Sequence, residues 1–176
     1  MTCIVGLVDK GRVYLGGDSA SIDGTDITLR ADPKVFRNGD FVMGYTTSFR
    51  LGNLLQHSLV PPRHHPDDDI RKFMVTEFID AVRDCLKNGG YAATGTDAEA
   101  GGTFLVGYQG RLFSIQDDYQ VGEGLDGFMA CGCGEKYALG SLGTSTGRPR
   151  DRVLKALSLA ERWSAGVRAP FHLEVI

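Results

Sequence analysis

Cysteine, histidine and tryptophan are scarce in this chain, and their spacing excludes several classes of function. Of 176 residues only four are cysteine, four are histidine and one is tryptophan. Cys131 and Cys133 stand close together, but the cysteines have neither the spacing of a zinc site nor that of a disulfide framework. His64 and His65 lie in a polar, proline-flanked connection that is typical of a surface loop. We therefore expect reduced thiols, no metal site and no cofactor.

Long apolar runs and a strong charge of one sign are also absent. No stretch approaches the roughly 20 apolar residues of a membrane-spanning helix, and the start lacks the pattern of a cleavable signal. A net charge of −3 gives no electrostatic reason to bind nucleic acid or an anionic membrane. The glycine-rich segment 140–147 lacks the lysine of a phosphate-binding loop. The composition, 42% hydrophobic and 23% charged, predicts one soluble, cytoplasmic domain spanning residues 1–176.

The first part of the chain has the pattern of a β-hairpin. Residues 2–8 form an apolar run rich in β-branched side chains, and residues 9–11 are a turn signal. Residues 12–18 then predict a returning strand. Because a hairpin brings its two ends together, Asp18 is expected to lie beside Thr2.

A second predicted hairpin adds a lysine to this pair. Lys34 opens an apolar strand that turns at residues 38–39, an Asn-Gly pair, into the strand 40–45. This layout allows Lys34 to lie at the same end of the sheet as Thr2 and Asp18. We therefore predict that these three side chains form one cluster.

A threonine at a chain start carries both parts of a nucleophilic catalyst, a hydroxyl and a free α-amine. We expect Met1 to be removed, which leaves Thr2 as the first residue. An α-amine titrates near ~7.7–8.0, so a useful fraction is neutral around neutral pH and can accept the hydroxyl proton. A neighbouring lysine ammonium disfavours the charged amine, and an aspartate keeps the lysine oriented. The cluster thus predicts amide hydrolysis.

The flanking sequence resembles that of proteasome β-type subunits, including the bacterial two-ring peptidase that works with an ATP-driven unfoldase. Thr2, Asp18 and Lys34 stand at the offsets of that family's catalytic residues, within Thr-x-Ile-Val-Gly, Gly-Gly-Asp-Ser and Lys-Val. The resemblance further implies that the Gly44 N–H serves the oxyanion hole and that residues 20–33 line the specificity pocket.

The same resemblance implies an architecture and a set of partners. Periodicity alone predicts an α+β protein, and the family implies a four-layer αββα sandwich of the N-terminal nucleophile hydrolase type. It also implies protein or peptide substrates, a homo-oligomeric ring and an ATP-dependent unfoldase. Neither nucleic acid nor membrane is an expected partner.

The chain departs from the family pattern in its second half. Cys133 stands where a supporting serine is usual, and the aspartate expected near the end of the last long helix is missing, with Ser164 nearby. Ser19 is a further candidate to assist proton transfer from Thr2. Two alternatives remain open, and these departures favour the first of them. One is a non-catalytic ring or scaffold subunit, and the other is an N-terminal nucleophile hydrolase acting on small amides.

The other predicted elements follow from capping and periodicity. Residues 46–48 are expected to cap a helix that runs to about His57, and three aspartates at 67–69 to start a longer helix that ends at Asn88. Residues 91–102 are expected to form a mobile loop. The remaining predictions are a hairpin of strands 103–108 and 111–115, a strand at 128–132, helices at 135–142 and 150–163, and a last strand at 171–176.

Overall fold

The computed structural model describes residues 1–91 and 100–176. The strands are β1 (Cys3–Asp9), β2 (Arg12–Gly17), β3 (Ala20–Asp23), β4 (Asp26–Leu29), β5 (Val35–Asn38), β6 (Phe41–Tyr45), β7 (Phe104–Tyr108), β8 (Arg111–Ile115), β9 (Val121–Glu123), β10 (Phe128–Gly132) and β11 (His172–Val175). The helices are α1 (Phe49–His57), α2 (Ile70–Phe73), α3 (Ile79–Asn88), α4 (Glu135–Thr144) and α5 (Pro149–Trp163), and a π-helical segment, Met74–Phe78, joins α2 to α3. The α+β class predicted from the sequence is confirmed.

Two antiparallel sheets form the centre of the fold. The first has the strand order β10-β1-β2-β11 and the second the order β5-β6-β7-β8-β9. Lys10 and Gly11, between β1 and β2, have φ angles of 49° and 74°, and Gln109 and Gly110, between β7 and β8, have 45° and 73°. Two consecutive positive φ angles match the twist of the flanking strands, which favours such tight hairpins. The hairpins predicted at these positions are confirmed.

Three apolar clusters hold the sheets and helices together. Alternate residues of β1 point to opposite faces, so Ile4 belongs to a cluster with Val35 and Val42 of the second sheet, whereas Val5 belongs to one with α4 and α5. A third cluster joins the second sheet to α1, α2, α3 and the π-helical segment. The site described below lies at one end of the cluster between the sheets, since Thr2 precedes Ile4 by two residues.

Side-chain caps begin two of the helices where the sequence predicted them. The hydroxyl of Ser48 accepts a hydrogen bond from the N–H of Arg50 at the start of α1. The carboxylate of Asp69 accepts one from the N–H of Lys72 at 2.8 Å at the start of α2. The longer helix predicted after Asp69 therefore forms, although its second turn is π-helical.

The structure differs from the sequence predictions in two places. Part of the polar segment 20–33 forms a two-stranded hairpin, β3–β4, and residues 121–123 add β9 to the edge of the second sheet. Most of the loop predicted for residues 91–102 lies outside the described residues. No helix in the described part of the chain has both the length and the apolar character needed to cross a bilayer.

Candidate active site

The side chains of Thr2, Asp18 and Lys34 meet in a buried cluster. The ammonium nitrogen Nζ of Lys34 donates to Thr2 Oγ1 at 3.1 Å and to Asp18 Oδ1 at 2.9 Å. All three residues are almost fully enclosed, with exposed fractions of 5% for Thr2, 0% for Asp18 and 1% for Lys34. The cluster predicted from the sequence spacing is therefore present as a continuous chain of contacts.

Strand ends bring these residues together. In the β1–β2 hairpin Ile4 pairs with Gly17, so Thr2 and Asp18 extend from the same end of the first sheet. Lys34 directly precedes β5, whose first residue packs between the two sheets. Gly17 makes this approach possible, because a Cβ there would lie 2.9 Å from Ile4 Cδ1 and 3.1 Å from Val35 Cγ1. Because Gly17 has no side chain, the two sheets pack closely enough for Lys34 to contact Thr2 and Asp18 of the first sheet.

The Asp18 carboxylate is held by four donors. Its Oδ1 accepts from Lys34 and from the N–H of Cys3 at 3.0 Å. Its Oδ2 accepts from the N–H of Ala20 at 2.9 Å and of Arg168 at 3.3 Å. Backbone amides from three separate segments thus fix the carboxylate that positions the lysine. Sequence reasoning missed the contribution of Arg168, because a backbone donor leaves no signal in side-chain identity.

The ammonium group of Lys34 sits in an environment that opposes its charge. Burial lowers the pKa of Lys34 below its ordinary value of 10.5, and the Asp18 carboxylate counteracts that shift. The ammonium group thus contacts the Thr2 hydroxyl while the Asp18 carboxylate favours its charged form. Such a perturbed, paired group is a common feature of catalytic sites.

A thiol and a second hydroxyl complete the surroundings of Thr2. Cys133 Sγ accepts from the N–H of Thr2 at 3.3 Å and from the hydroxyl of Ser164 at 3.3 Å. Gly132 permits this contact, since its φ is 95° and a Cβ there would lie 2.2 Å from the Thr2 carbonyl oxygen. The structure thus brings Cys133 to the nitrogen of Thr2 and brings Ser164 to the Cys133 thiol.

An open cavity of about 210 Å³ adjoins this cluster. Thr2 forms part of its wall together with Ser21 and Ile22 of β3. Residues 45–49, from the end of β6 to the start of α1, also line it. Thr47 in that segment has a φ of 69°, a conformation that is strained for a β-branched residue. Sequence reasoning identified residues 46–48 only as a helix cap and missed their place beside Thr2.

No protein-family model and no curated protein sequence matches this chain. Among solved structures, the chain is similar to BPH, a bacterial proteasome homologue of Thiobacillus denitrificans, with a TM-score of 0.80 at 19% identity over 99% of this chain and 97% of that chain. BPH in complex with epoxomicin gives a TM-score of 0.79. HslV from Trypanosoma brucei gives 0.71 at 19% identity over 98% of each chain. The Gly-1 mutant of Anbu from Hyphomicrobium sp. strain MC1 gives 0.69 at 16% identity over 98% of this chain and 80% of that chain.

These similarities span the whole chain and agree on one architecture. The chain has a proteasome-like fold. At 16–19% identity the likeness establishes the fold and not the activity. The cluster of Thr2, Asp18 and Lys34 lies at the end of the paired sheets of this proteasome-like fold.

The role predicted for Gly44 does not fit its position in the proteasome-like fold. Gly44 lies within β6, paired with Val35 of β5 on one side and with Leu105 of β7 on the other. Strands inside a sheet use their amides in the ladders, so the Gly44 N–H is not placed to bind an oxyanion. Packing explains the glycine at position 44, because a Cβ there would lie 2.6 Å from Ile4 Cγ2 and 3.1 Å from Leu15 Cδ2.

Ser19 is buried next to Asp18, but its hydroxyl is directed elsewhere. Ser19 Oγ donates to the carbonyl oxygen of Pro170 at 2.7 Å, and its N–H donates to the carbonyl of Arg168 at 2.9 Å. These bonds attach the end of β2 to the segment before β11. In this structure Ser19 is therefore a structural link, and the proton-transfer role predicted for it has no supporting contact among residues 1–91 and 100–176.

Thiol labelling should distinguish the exposed Cys133 from the buried Cys3 and Cys131. Burial raises the pKa of Cys3 to about 12 and raises that of Cys131 well above its usual range, whereas Cys133 is exposed. Because the thiolate is the reactive form, iodoacetamide at pH 8 should modify Cys133 in the folded protein and reach Cys3 and Cys131 only in denaturant. Peptide mass mapping measures the sites, with Cys133→Ser as the control. Equal labelling of Cys3 and Cys133 in the folded protein would contradict this geometry.

Proposed function

We propose that this protein is a threonine-type peptidase whose nucleophile is the hydroxyl of Thr2, made N-terminal by removal of Met1. The observation that carries the proposal is the buried Lys34 ammonium, which contacts both Thr2 Oγ1 and the Asp18 carboxylate. Burying a lysine ammonium costs free energy even when a carboxylate pairs with it. A role in activating the Thr2 hydroxyl explains why this ammonium lies against that hydroxyl.

The proposed reaction begins with attack of Thr2 Oγ on a peptide carbonyl carbon. The Thr2 amine takes the hydroxyl proton, and the nearby Lys34 charge favours the neutral form of that amine beforehand. The tetrahedral intermediate then collapses, the C–N bond breaks, and the proton passes to the departing amine. Water adds to the resulting ester, with the Thr2 amine again acting as the base, and releases the acid product. Cys133 and Ser164 would hold the amine near the hydroxyl.

The oxyanion formed in this reaction requires backbone donors, and Gly44 is not among them. The N–H groups of Thr46 and Ser48 donate to the carbonyl oxygens of Thr103 and Thr46. We therefore place that role at the N–H of Thr47, in the segment that lines the cavity beside Thr2 and leads into the N-terminus of α1. The positive end of a helix dipole and a preorganised amide both stabilise developing negative charge. The bond from Thr46 Oγ1 to the carbonyl of Thr103 at 2.9 Å helps to fix this segment.

The assembly and the partners belong to the same proposal. We propose that the domain spans residues 1–176, that its layers form the αββα sandwich, and that the three apolar clusters correspond to the three interfaces between those layers. We further propose a homo-oligomeric ring in the cytoplasm that encloses Thr2 and receives protein substrates from an ATP-dependent unfoldase. The structural likeness to BPH, HslV and Anbu supports a ring subunit or a relative of one.

Intact mass measured with and without epoxomicin tests the proposal. The purified protein should lack the mass of Met1 and should gain one epoxomicin adduct, located at Thr2 by peptide mapping. The Thr2→Ala variant should form no adduct and cleave no peptide, because it lacks the hydroxyl that is the proposed nucleophile. A matched control is Thr28→Ala on the exposed strand β4.

The two alternatives give different results in these measurements. A chain that retains Met1 and forms no adduct would indicate a non-catalytic subunit, because a blocked Thr2 has no free amine. An adduct at Thr2 in a protein that sediments as a monomer would favour hydrolysis of small amides over compartmentalised proteolysis.

A further inference from the structure

The cavity beside Thr2 has walls of mixed character but no formal side-chain charge. Ile22, Tyr45 and Phe49 supply apolar surface, and Ser21 and Ser48 supply hydroxyls. In the part of the chain that the structure describes, no aspartate, glutamate, lysine or arginine lines this cavity. Met1 also lines the cavity, and with Met1 in place its volume is about 210 Å³, which suits one side chain of a substrate rather than a longer segment.

A close ion pair stands directly beside one of these walls. Arg30 Nε donates to both oxygens of Asp32, at 2.9 and 3.1 Å, and Arg30 Nη2 donates to Asp32 Oδ2 at 2.8 Å. The guanidinium carbon of Arg30 lies 4.1 Å from the ring centroid of Phe49, a wall residue. The ring of Phe49 thus lies between the cavity and the guanidinium of Arg30, which is paired with Asp32.

From this arrangement we infer that the Arg30–Asp32 pair sets the charge preference of the cavity and selects substrates with an uncharged, apolar residue on the acyl side of the cleaved bond. The inference rests on the proposed peptidase function and adds the substrate class. With both partners present their fields largely cancel at the cavity. A substrate carboxylate or ammonium entering it would lose hydration and gain no compensating partner.

Loss of either partner should turn the neutral cavity into a charged one. In Asp32→Asn the guanidinium keeps its contact with Phe49 and becomes a net positive charge beside the cavity. In Arg30→Gln the Asp32 carboxylate becomes a net negative charge in nearly the same place. Because both side chains are partly exposed, water screens these charges, and a moderate rather than a complete change of preference is expected.

The test uses three fluorogenic peptide amides that differ only in the acyl-side residue, which is leucine, glutamate or arginine. The ratios of kcat/KM between peptides are measured for the wild type and for each variant. The wild type should prefer the leucyl peptide over both others. Asp32→Asn should raise the glutamyl-to-leucyl ratio about ten-fold, and Arg30→Gln should raise the arginyl-to-leucyl ratio about ten-fold. Cleavage of the leucyl peptide shows that each variant is folded.

A matched control comes from a second pair of the same kind. Arg111 and Glu123 also form a two-pronged ion pair, with Arg111 5.2 Å from the Phe113 ring, and they line a different cavity. Glu123→Gln should leave all ratios unchanged. Ratios that are the same in wild type, Asp32→Asn and Arg30→Gln would overturn the inference while leaving the peptidase proposal intact. Absence of both peptide cleavage and an epoxomicin adduct in the wild type would overturn the two together.

Discussion

Peptide cleavage by the Lys34→Met variant is expected to fall by about 10²–10⁴-fold, the range typical of losing a group that assists proton transfer. Methionine is similar to lysine in length and apolar bulk, but it removes the charge and the donor that contacts Thr2 Oγ1 at 3.1 Å. Without the ammonium the Thr2 amine is more easily protonated and the hydroxyl loses its orientation. The rates of peptide cleavage and of epoxomicin adduct formation at Thr2 both measure the effect.

The fold should survive this substitution, which makes the result interpretable. Asp18 keeps its three backbone donors when Lys34 is replaced, so its carboxylate is not left without partners. Far-UV circular dichroism and sedimentation check the structure and the assembly. Lys155→Met, on the exposed side of α5, is the matched control and should cleave at the wild-type rate. A folded Lys34→Met variant with near-normal activity would remove lysine from the mechanism.

Sequence reasoning could predict the three central residues because they depend on hairpins. Thr2 and Asp18 lie at the two ends of one hairpin, and Lys34 directly precedes the β5–β6 hairpin, so local turn signals were enough to place them. The role of Gly44 could not be obtained in this way. A glycine in an apolar strand can serve a substrate or a neighbouring side chain, and only the packed sheets show that Ile4 and Leu15 fill the space.

Elements whose stability depends on distant contacts were harder to predict. Every residue of β4 is exposed, so its strand lacks the apolar alternation that marks a half-buried one. It forms by pairing with β3, and the hydrogen bond from the Arg30 N–H to the Ser19 carbonyl attaches it to the body. Likewise, the direction of the Ser19 hydroxyl depends on Pro170, about 150 residues away in sequence.

The stability of the folded protein should drop sharply in the Asp18→Asn variant, by about 3–5 kcal/mol in the free energy of unfolding. The substitution removes the counter-charge of a fully buried ammonium. It also replaces one acceptor oxygen with an NH₂ group. If that group faces the Oδ2 position it meets the N–H donors of Ala20 and Arg168, and if it faces the Oδ1 position it meets those of Cys3 and Lys34. Either orientation leaves two buried donors unsatisfied.

Urea unfolding followed by circular dichroism measures this loss, and a second substitution identifies its cause. Adding Lys34→Met to Asp18→Asn removes the unpaired charge, so the double variant should be more stable than Asp18→Asn alone. Asp26→Asn, on exposed β4, is the matched control and should change stability by less than about 0.5 kcal/mol. An Asp18→Asn variant within about 1 kcal/mol of wild type would contradict this account, because neither the lost counter-charge nor the two unsatisfied donors would then have a large cost.

The pH dependence of the Asp18→Asn variant follows from the direction of the Lys34 shift. Burial lowers the pKa of Lys34 in the folded protein below its ordinary value of 10.5, and without the Asp18 carboxylate that pKa should fall further. Between the folded pKa and 10.5 the unfolded chain binds one more proton than the folded chain, so stability rises with pH in this window. The deficit of Asp18→Asn relative to wild type should therefore shrink as pH increases from 7 toward 10, and it should stay constant with pH if Lys34 were solvated.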